Sequence, residues 1–241
     1  MTLIEARRIC KQYGSRSSSV STALEPTSLR VEQGEYVSIV GPSGSGKSTL
    51  MNLLGLLDRP TFGLLFFSKI DCGRLNDDQR ATIRNRRIGF IFQAYHLLPR
   101  LCAWRNVELP LIYGGIHGKD RCRLADRALD AVGLLSKRNR LPTELSGGEQ
   151  QRVAIARAIV RDPPMLLADE PTGALDTAAS RVILSILREL NRSGRTIVLV
   201  THDLQIASEA ARTLCMRDGQ IVADGRPQEV VSRLQLTEAA A

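Results

Sequence analysis

The chain has 241 residues and 43% hydrophobic residues, enough to bury the core of a folded globular protein. No apolar run reaches the roughly 20 residues of a membrane-spanning helix, the first residues show no signal segment, and five scattered cysteines form no CxxC pair; these absences favour a cytoplasmic protein and argue against a disulfide framework or a zinc site. The net charge of +8 is concentrated between residues 84 and 140, which leaves nucleic acid, anionic lipid or an acidic protein surface open as partners, beside a merely solvated basic surface.

The predicted elements alternate between strands and helices. Residues 3–12 and 23–40 are predicted to form short strands of a small antiparallel layer, separated by a polar turn region at 14–21. Residues 94–145 are predicted to form a helical insertion, with one helix over 126–135. The later predicted elements are buried strands at 165–168 and 196–200, a helix between them with an apolar face of Val182, Ile183, Ile186, Leu187 and Leu190, a hairpin about Asp218 and Gly219, and a final helix opened by Pro227.

The stretch GPSGSGKST lies between the apolar runs 36–40 and 50–54, so it predicts a strand, a glycine-rich loop and a helix. Glycines let backbone N–H groups converge on phosphate oxygens, and the helix adds the positive end of its dipole. Lys47 supplies a cation for the β and γ phosphates, and Ser48 supplies a hydroxyl for Mg²⁺. The predicted phosphate-binding residues are Gly41, Pro42, Ser43, Gly44, Ser45, Gly46, Lys47, Ser48 and Thr49.

Two acids, Asp169 and Glu170, directly follow the apolar run 165–168, so they are predicted to lie at the carboxyl end of a buried strand. Because a strand alternates its side chains, we expect Asp169 to face Mg²⁺ and Glu170 to reach the water that attacks the γ phosphate. Without the phosphate loop, an ordinary acidic loop would be a serious alternative for these residues.

The stretch LSGGEQ at 145–150 runs into a helix predicted over 152–160. Ser146 is a good N-terminal cap, and Gly147 and Gly148 open backbone N–H groups at the positive helix end, which predicts a second anion site. LSGGEQ also resembles the signature motif of the ABC-type ATPases, which hold ATP between the phosphate loop of one protomer and this motif of the other. The resemblance implies a P-loop NTPase of ABC type: an α/β fold with a mixed or parallel core sheet, an antiparallel β layer and an inserted helical subdomain.

Four further residues match the pattern of that family one by one. The resemblance implies that Gln93 contacts the metal and its water, that His202 bonds the γ phosphate, and that Asp176 is the acid of a loop crossing the dimer interface. It also implies that Tyr13 stacks on adenine, although a lone tyrosine or histidine is more often structural. The complete set predicts an ATPase that uses ATP and Mg²⁺, with Glu170, His202, Gln93 and Lys47 as catalytic residues, Tyr13, Ser146, Gly147, Gly148 and Asp176 binding nucleotide beside the phosphate loop, and Ser48, Gln93 and Asp169 at the metal.

The finer pattern resembles the macrolide-export and lipoprotein-release branch of the family. The matching runs lie at 84–93, 96–99, 106–111 and 168–173. Members of that branch energise a separate or fused membrane permease. We therefore expect two copies of the chain to close around two ATP molecules, a permease to dock near Gln93 to Trp104, and the protein to be peripheral on the inner face of the cell membrane.

The alternative is a nucleic-acid-associated ABC ATPase of the DNA-repair or ribosome-acting kind, prompted by the basic segment 84–140. Repair members of the family carry long coiled coils and ribosome-acting members carry two ATPase units. Here only about 50 residues separate Gln93 from Leu145, no heptads are sustained, and the phosphate loop occurs once, so we expect no nucleic-acid partner. A catalytically dead copy is disfavoured because the set of catalytic residues is complete.

Three stretches depart from the pattern of the branch. Thr61-Phe62-Gly63 and Ser68-Lys69 stand where Thr-Ser-Gly and Asp-Gly turns are usual, and Trp104 and Arg105 stand where Leu and Glu are commoner. A lysine at a turn position that needs positive φ costs about 1 kcal/mol, so this strand pair is expected to be rebuilt or locally loose. We expect one domain over 1–241, with 1–93 and 146–241 as a RecA-like core plus the β layer and about 94–145 as the helical subdomain.

Overall fold

The computed structural model describes residues 1–14 and 20–238, with side chains up to residue 232. The chain forms two compact units, one of Met1–Arg80 with Thr196–Ala241 and one of Ala81–Arg195. The strands are β1 Thr2–Tyr13, β2 Ser21–Glu32, β3 Tyr36–Val40, β4 Phe62–Phe67, β5 Ile70–Asp71, β6 Ile88–Phe92, β7 Met165–Asp169, β8 Thr196–Val200, β9 Arg212–Arg217 and β10 Gln220–Gly225. The helices are α1 Lys47–Leu54, α2 Asp77–Arg87, α3 Ala103–Tyr113, α4 Gly118–Asp130, α5 Gly147–Ile159, α6 Thr177–Arg192, α7 Leu204–Ala207 and α8 Pro227–Glu238.

The first unit contains the predicted antiparallel layer, a sheet in the order β2-β1-β4-β5. The short strands expected over 23–40 are β2 and β3, and the chain turns between them at Gly34, which has a φ of 78°. β2 pairs with β1, whereas β3 joins a different set of strands. Most of the polar turn predicted at 14–21 lies outside the described residues.

The turn at Ser68 and Lys69 keeps its hairpin geometry. Both residues adopt positive φ, 47° and 69°, and Phe67 pairs with Ile70 across the turn. The expectation of a rebuilt strand pair is therefore wrong. The two non-glycine residues adopt the left-handed conformation, and the conformational cost of doing so remains in the folded protein. Nearby Gly63 remains indispensable, because a Cβ there would lie 2.2 Å from the carbonyl oxygen of Arg8.

The remaining strands of the first unit form a mixed arrangement. β3 pairs in parallel with β8 and β9, and β9 pairs antiparallel with β10. Every residue of β3 and β8 is buried, as expected for strands covered on both faces. The predicted hairpin is confirmed, with positive φ at Asp218 and Gly219 in its turn.

The second unit combines the parallel pair β6 and β7 with helices α3 to α6. The helix expected over 126–135 begins earlier and ends at Asp130, because Gly133 adopts a φ of 68° and turns the chain away. In α6, Ile183, Leu187 and Leu190 are buried as predicted, but Val182 is 45% exposed and Leu184 takes its place. Within the part of the chain that the structure describes, no helix has both the length and the apolarity needed to cross a membrane.

Candidate functional site

The loop Gly41–Thr49 joins β3 to α1 and confirms the predicted strand, loop and helix. Three of its glycines adopt positive φ: 151° at Gly41, 80° at Gly44 and 97° at Gly46. A Cβ would lie 2.2 Å from the carbonyl oxygen of Met216 at Gly41 and 2.6 Å from that of Ala23 at Gly46. Side chains are thus excluded from the loop at both of its ends.

Three polar features of this loop bear on phosphate binding: the Lys47 ammonium, the start of α1 and the Ser45 hydroxyl. The Lys47 ammonium donates hydrogen bonds of 2.8 Å to the carbonyl oxygens of Gly41 and Pro42, which hold the cation across the loop. Gly46 begins α1 without a side-chain cap, so the first N–H groups of the helix are left for an anion. The Ser45 hydroxyl is buried and finds no hydrogen-bond partner among the described residues. This is the geometry of a phosphate-binding loop.

Tyr13 is held by an ionic cluster at the end of β1. Its hydroxyl donates to Asp58 at 3.0 Å, and Asp58 also accepts from Lys11 at 2.6 Å. The Lys11 ammonium lies 4.9 Å from the centre of the Tyr13 ring, which is a cation–π contact. Burial and the Asp58 hydrogen bond raise the Tyr13 pKa. The ring is 45% exposed, so its remaining surface is open to a stacking partner.

His202 follows β8 in the same unit and is exposed. The chain around it is fixed, since the Asp203 N–H donates to the Thr201 hydroxyl at 3.1 Å and the Asp203 carboxylate caps α7. An exposed imidazole on a fixed turn is accessible to a phosphate oxygen.

Asp169, Glu170 and Gln93 lie in the second unit. Asp169 ends β7 and is opposite Phe92 in the parallel register, so Gln93 leaves the neighbouring strand at the same level. The predicted alternation does not apply to Glu170, because β7 ends before it and its φ is 45°, a strained value for a side chain of this kind. The amide nitrogen of Gln93 would lie 2.9 Å from a Cβ at Gly173, in the loop that follows Glu170.

The start of α5 confirms the predicted cap. The Ser146 hydroxyl accepts from the Glu149 N–H at 3.3 Å, and the Glu149 carboxylate accepts from the Ser146 N–H at 3.1 Å, forming a capping box. The hydrogen bond from Lys137 is the main reason that the Glu149 pKa is lowered. At Gly148 a Cβ would lie 2.9 Å from that of Ala179, and at Gly147 it would lie 3.0 Å from the Tyr95 hydroxyl, so both glycines permit close packing.

Asp176 already performs a structural task. Its carboxylate accepts a hydrogen bond of 2.8 Å from the Ala179 N–H and caps α6. The residue is nevertheless exposed, so the second carboxylate oxygen can face a partner.

The loop that begins at Gln93, directly after β6, is called the Gln93 loop, and it is held by residues that the sequence pattern did not single out. Tyr95 and His96 adopt positive φ, 59° and 50°, and their carbonyl oxygens accept hydrogen bonds of 2.7 and 2.6 Å from the Arg157 guanidinium of α5. Gln151, also on α5 and fully buried, donates 2.8 Å to the Pro171 carbonyl beside Glu170. The periodic polar positions in an otherwise apolar helix were the only signal for them.

The family model described as ABC transporter matches residues 24–173. The chain belongs to the ABC transporter ATP-binding family. YvrO of Bacillus subtilis, an ABC transporter ATP-binding protein, is 50% identical over 224 residues, which cover 93% of this chain and 97% of YvrO. The macrolide export ATP-binding/permease protein MacB of Sodalis glossinidius is 48% identical over 227 residues, 94% of this chain but 35% of MacB. The predicted family and branch agree with these relatives.

The fold of this ABC cassette agrees with a solved relative. The ATP-binding cassette MJ0796, described as a dimer in a post-hydrolysis state bound to ADP and Pi, superposes with a TM-score of 0.85 and is 41% identical, over 93% of this chain and 99% of that one. The predicted fold class is therefore confirmed, and the nucleic-acid alternative finds no support.

The donor set of the cassette suits a metal that is shared with phosphate. Among the described residues, no group of three or more His, Cys, Asp or Glu side chains is placed to hold a metal ion. Mg²⁺ keeps most of its octahedral shell as water or phosphate oxygen and needs only one or two protein ligands. A hydroxyl such as that of Ser48 and a carboxylate such as that of Asp169 are ligands of this kind.

Proposed function

We propose that this ABC cassette binds ATP and Mg²⁺ at Gly41–Thr49, hydrolyses the ATP, and thereby powers an exporter or a lipoprotein- or lipid-extrusion complex. The observation that carries the proposal is the loop itself: glycines at positive φ, an uncapped helix start and Lys47 held across the opening. Such a loop contributes backbone donors and a cation to a triphosphate, and it has no evident structural use otherwise.

Each polar residue then has one role in hydrolysis. Lys47 neutralises charge that develops on the β and γ phosphates, and Glu170 accepts a proton as the water oxygen attacks the γ phosphorus and ADP leaves. His202 and Gln93 hold the γ phosphate and the water in position. Ser48, Asp169 and Gln93 would hold Mg²⁺, which would neutralise charge on the phosphates when bound.

Two copies act together in this proposal. The triphosphate on the loop of one copy also meets Ser146, Gly147 and Gly148 of the other, while Tyr13 stacks on the adenine and Asp176 lies at the interface. Loss of the γ phosphate removes the bridge, so ATP favours the closed dimer and ADP the open one. The dimeric relative bound to ADP and Pi supports this arrangement.

The transport partner is an integral membrane permease that docks near Gln93 to Trp104 and holds the protein on the cytoplasmic face of the membrane. Relatives whose single chain combines an ATP-binding part with a permease support this coupling. The division into a core of 1–93 and 146–241 and a helical subdomain of about 94–145 belongs to the same proposal.

Replacing the proposed base tests the chemistry. Glu170→Gln should lower ATP hydrolysis by at least about 100-fold while ATP binding is retained, because loss of a general base slows the chemical step. Glu189→Gln, the same change at an exposed position of α6, is the matched control and should hydrolyse ATP at the normal rate. Hydrolysis by Glu170→Gln at the rate of the control would refute the assignment.

A further inference from the structure

The start of α3 carries an aromatic and cationic cluster that hydrolysis does not use. Trp104 is the only tryptophan of the chain. The guanidinium carbons of Arg105 and Arg138 lie 4.7 and 5.5 Å from the centre of its ring, within the range of cation–π attraction. Tryptophan and arginine are the residues that most often dominate protein interfaces.

The chain segments around Trp104 form one rigid surface. The buried Asn106 amide accepts a hydrogen bond from the Leu98 N–H and donates to the carbonyl oxygens of Leu98, Leu101 and Cys102. The turn that carries Arg100 is thereby fastened to the first turn of α3. On the other side, the N–H of Trp104 donates 2.9 Å to the carbonyl oxygen of Arg138.

We define the Trp104 surface as the side chains that these segments present together. Its members are Leu98, Arg100, Trp104, Arg105, Arg138 and Arg140.

The Trp104 surface carries more arginines than the carboxylates that pair with them. Arg105 pairs with Glu108, but that carboxylate is only 1% exposed and is shared with Arg121. Arg138 pairs with Asp126 and Arg140 pairs with Glu144, whereas Arg100 forms no ion pair with any described residue. Arg100 is therefore left without a carboxylate partner, and Arg105 has only a share in a buried one. Leu98, 47% exposed, adds an apolar contact next to them.

We propose that the Trp104 surface binds an acidic segment of the permease that carries an apolar anchor residue, and that its arginines determine which permease is accepted. This inference rests on the proposed function, because it names the chemistry of the partner that the transporter requires. Complementary charge accelerates encounter and rejects segments of the wrong sign, since like charges placed together cost several kcal/mol. An apolar anchor is needed because exposed ion pairs alone contribute little affinity.

The fluorescence of the single tryptophan provides the test. Two synthetic helical peptides share the same Leu and Ala positions and differ only in carrying Glu or Lys at the others. The Glu peptide should shift the Trp104 emission and bind at least about tenfold more tightly than the Lys peptide at low salt, and the difference should shrink as salt rises.

Two variants and one matched control locate the contact. Arg100→Glu and Arg105→Gln, the latter leaving Glu108 its second partner Arg121, should each weaken binding of the Glu peptide. Arg192→Glu, the same charge change as Arg100→Glu at an exposed position near the end of α6, should leave binding unaltered. Equal binding of the two peptides, or equal loss in the control, would overturn the inference. ATP hydrolysis by the same wild-type preparation tests the proposed function separately, so the inference can fail while the proposed function stands.

Discussion

The phosphate loop of the first unit and the Gln93 loop of the second both follow a buried strand, yet they are held in different ways. The shape of Gly41–Thr49 comes mainly from its own glycines at positive φ, and one hydrogen bond of 3.1 Å from the Gly219 N–H to the Ser45 carbonyl fastens it to the turn between β9 and β10. The Gln93 loop places two non-glycine residues, Tyr95 and His96, at positive φ and depends on Arg157 to keep them there.

The two loops therefore differ in which residues of the sequence determine their conformation. Nine consecutive residues mainly determine the conformation of the phosphate loop, because glycine alone tolerates the required backbone angles and contacts. The conformation of the Gln93 loop depends mainly on Arg157, in a helix some 60 residues further along the chain. The first loop is therefore sensitive to changes within itself and the second to changes at a distance.

The largest expected effect is on stability and ATP binding, and it should distinguish two glycines of the phosphate loop, Gly41 and Gly44. Gly41→Ala should cost about 3 kcal/mol of unfolding free energy and abolish ATP binding, because its Cβ would collide with the carbonyl oxygen of Met216. Gly44→Ala should cost only about 1 kcal/mol, since its Cβ meets nothing within 4 Å and only the backbone is strained. Urea unfolding and nucleotide titration measure both variants; equal effects would show that backbone angle, not contact, decides.

Replacing Arg157 tests whether this distant side chain holds the Gln93 loop in its conformation. Arg157→Leu should lower the unfolding free energy by about 2 kcal/mol, because two loop carbonyls lose a charged donor. Burial already lowers the pKa of this guanidinium, which means that its desolvation offsets part of the gain. Arg192→Leu, at an exposed position, is the control and should change stability by less than about 0.5 kcal/mol. An equally stable Arg157→Leu protein would mean that the loop holds its own shape.

The capping box of α5 predicts a dependence on pH. The lowered pKa of Glu149 means that its carboxylate stabilises the fold above its unfolded-state value near 4.5 and that this contribution disappears as pH falls through the lower folded-state value. Glu149→Gln should therefore cost about 1 kcal/mol at pH 7 and progressively less in acid. Chemical unfolding of both proteins at pH 7 and in acid checks the direction of this change. A cost of Glu149→Gln that grew in acid would contradict the stabilising role of the carboxylate.

The smallest effect concerns the hairpin turn of β4 and β5. Lys69 has a φ of 69°, so Lys69→Gly should stabilise the protein by about 0.5 kcal/mol once the greater freedom of glycine in the unfolded chain is deducted. Lys69→Ala keeps the strain and should give no gain. Thermal unfolding of the three proteins distinguishes relief of strain from loss of the lysine charge.

The features that were predicted correctly from the sequence are those that short runs determine. The strand, loop and helix around Gly41–Thr49, the cap at Ser146 and the turn at Asp218 and Gly219 each depend on local backbone chemistry. The start of α4 was misplaced because its first turns are polar and lack an apolar period until Ala125.

The features that the sequence did not indicate depend on distant contacts. Positive φ occurs at Tyr95, His96 and Glu170, where no glycine in the sequence indicates it, since Arg157 and the surrounding packing impose the angle. Asn106 looks like an ordinary polar helix residue in the sequence, yet it is buried and fastens the turn before α3. Patterns within one segment carry no information about such partners.

The central claim is that ATP joins two copies of the chain and that hydrolysis releases them. Sedimentation velocity of the Glu170→Gln protein with Mg²⁺ and either ATP or ADP tests it most directly. The account predicts a dimer with ATP and a monomer with ADP, because only the γ phosphate bridges the phosphate loop of one copy and the Ser146 helix of the other. A monomer with both nucleotides, or a dimer with both, would contradict it.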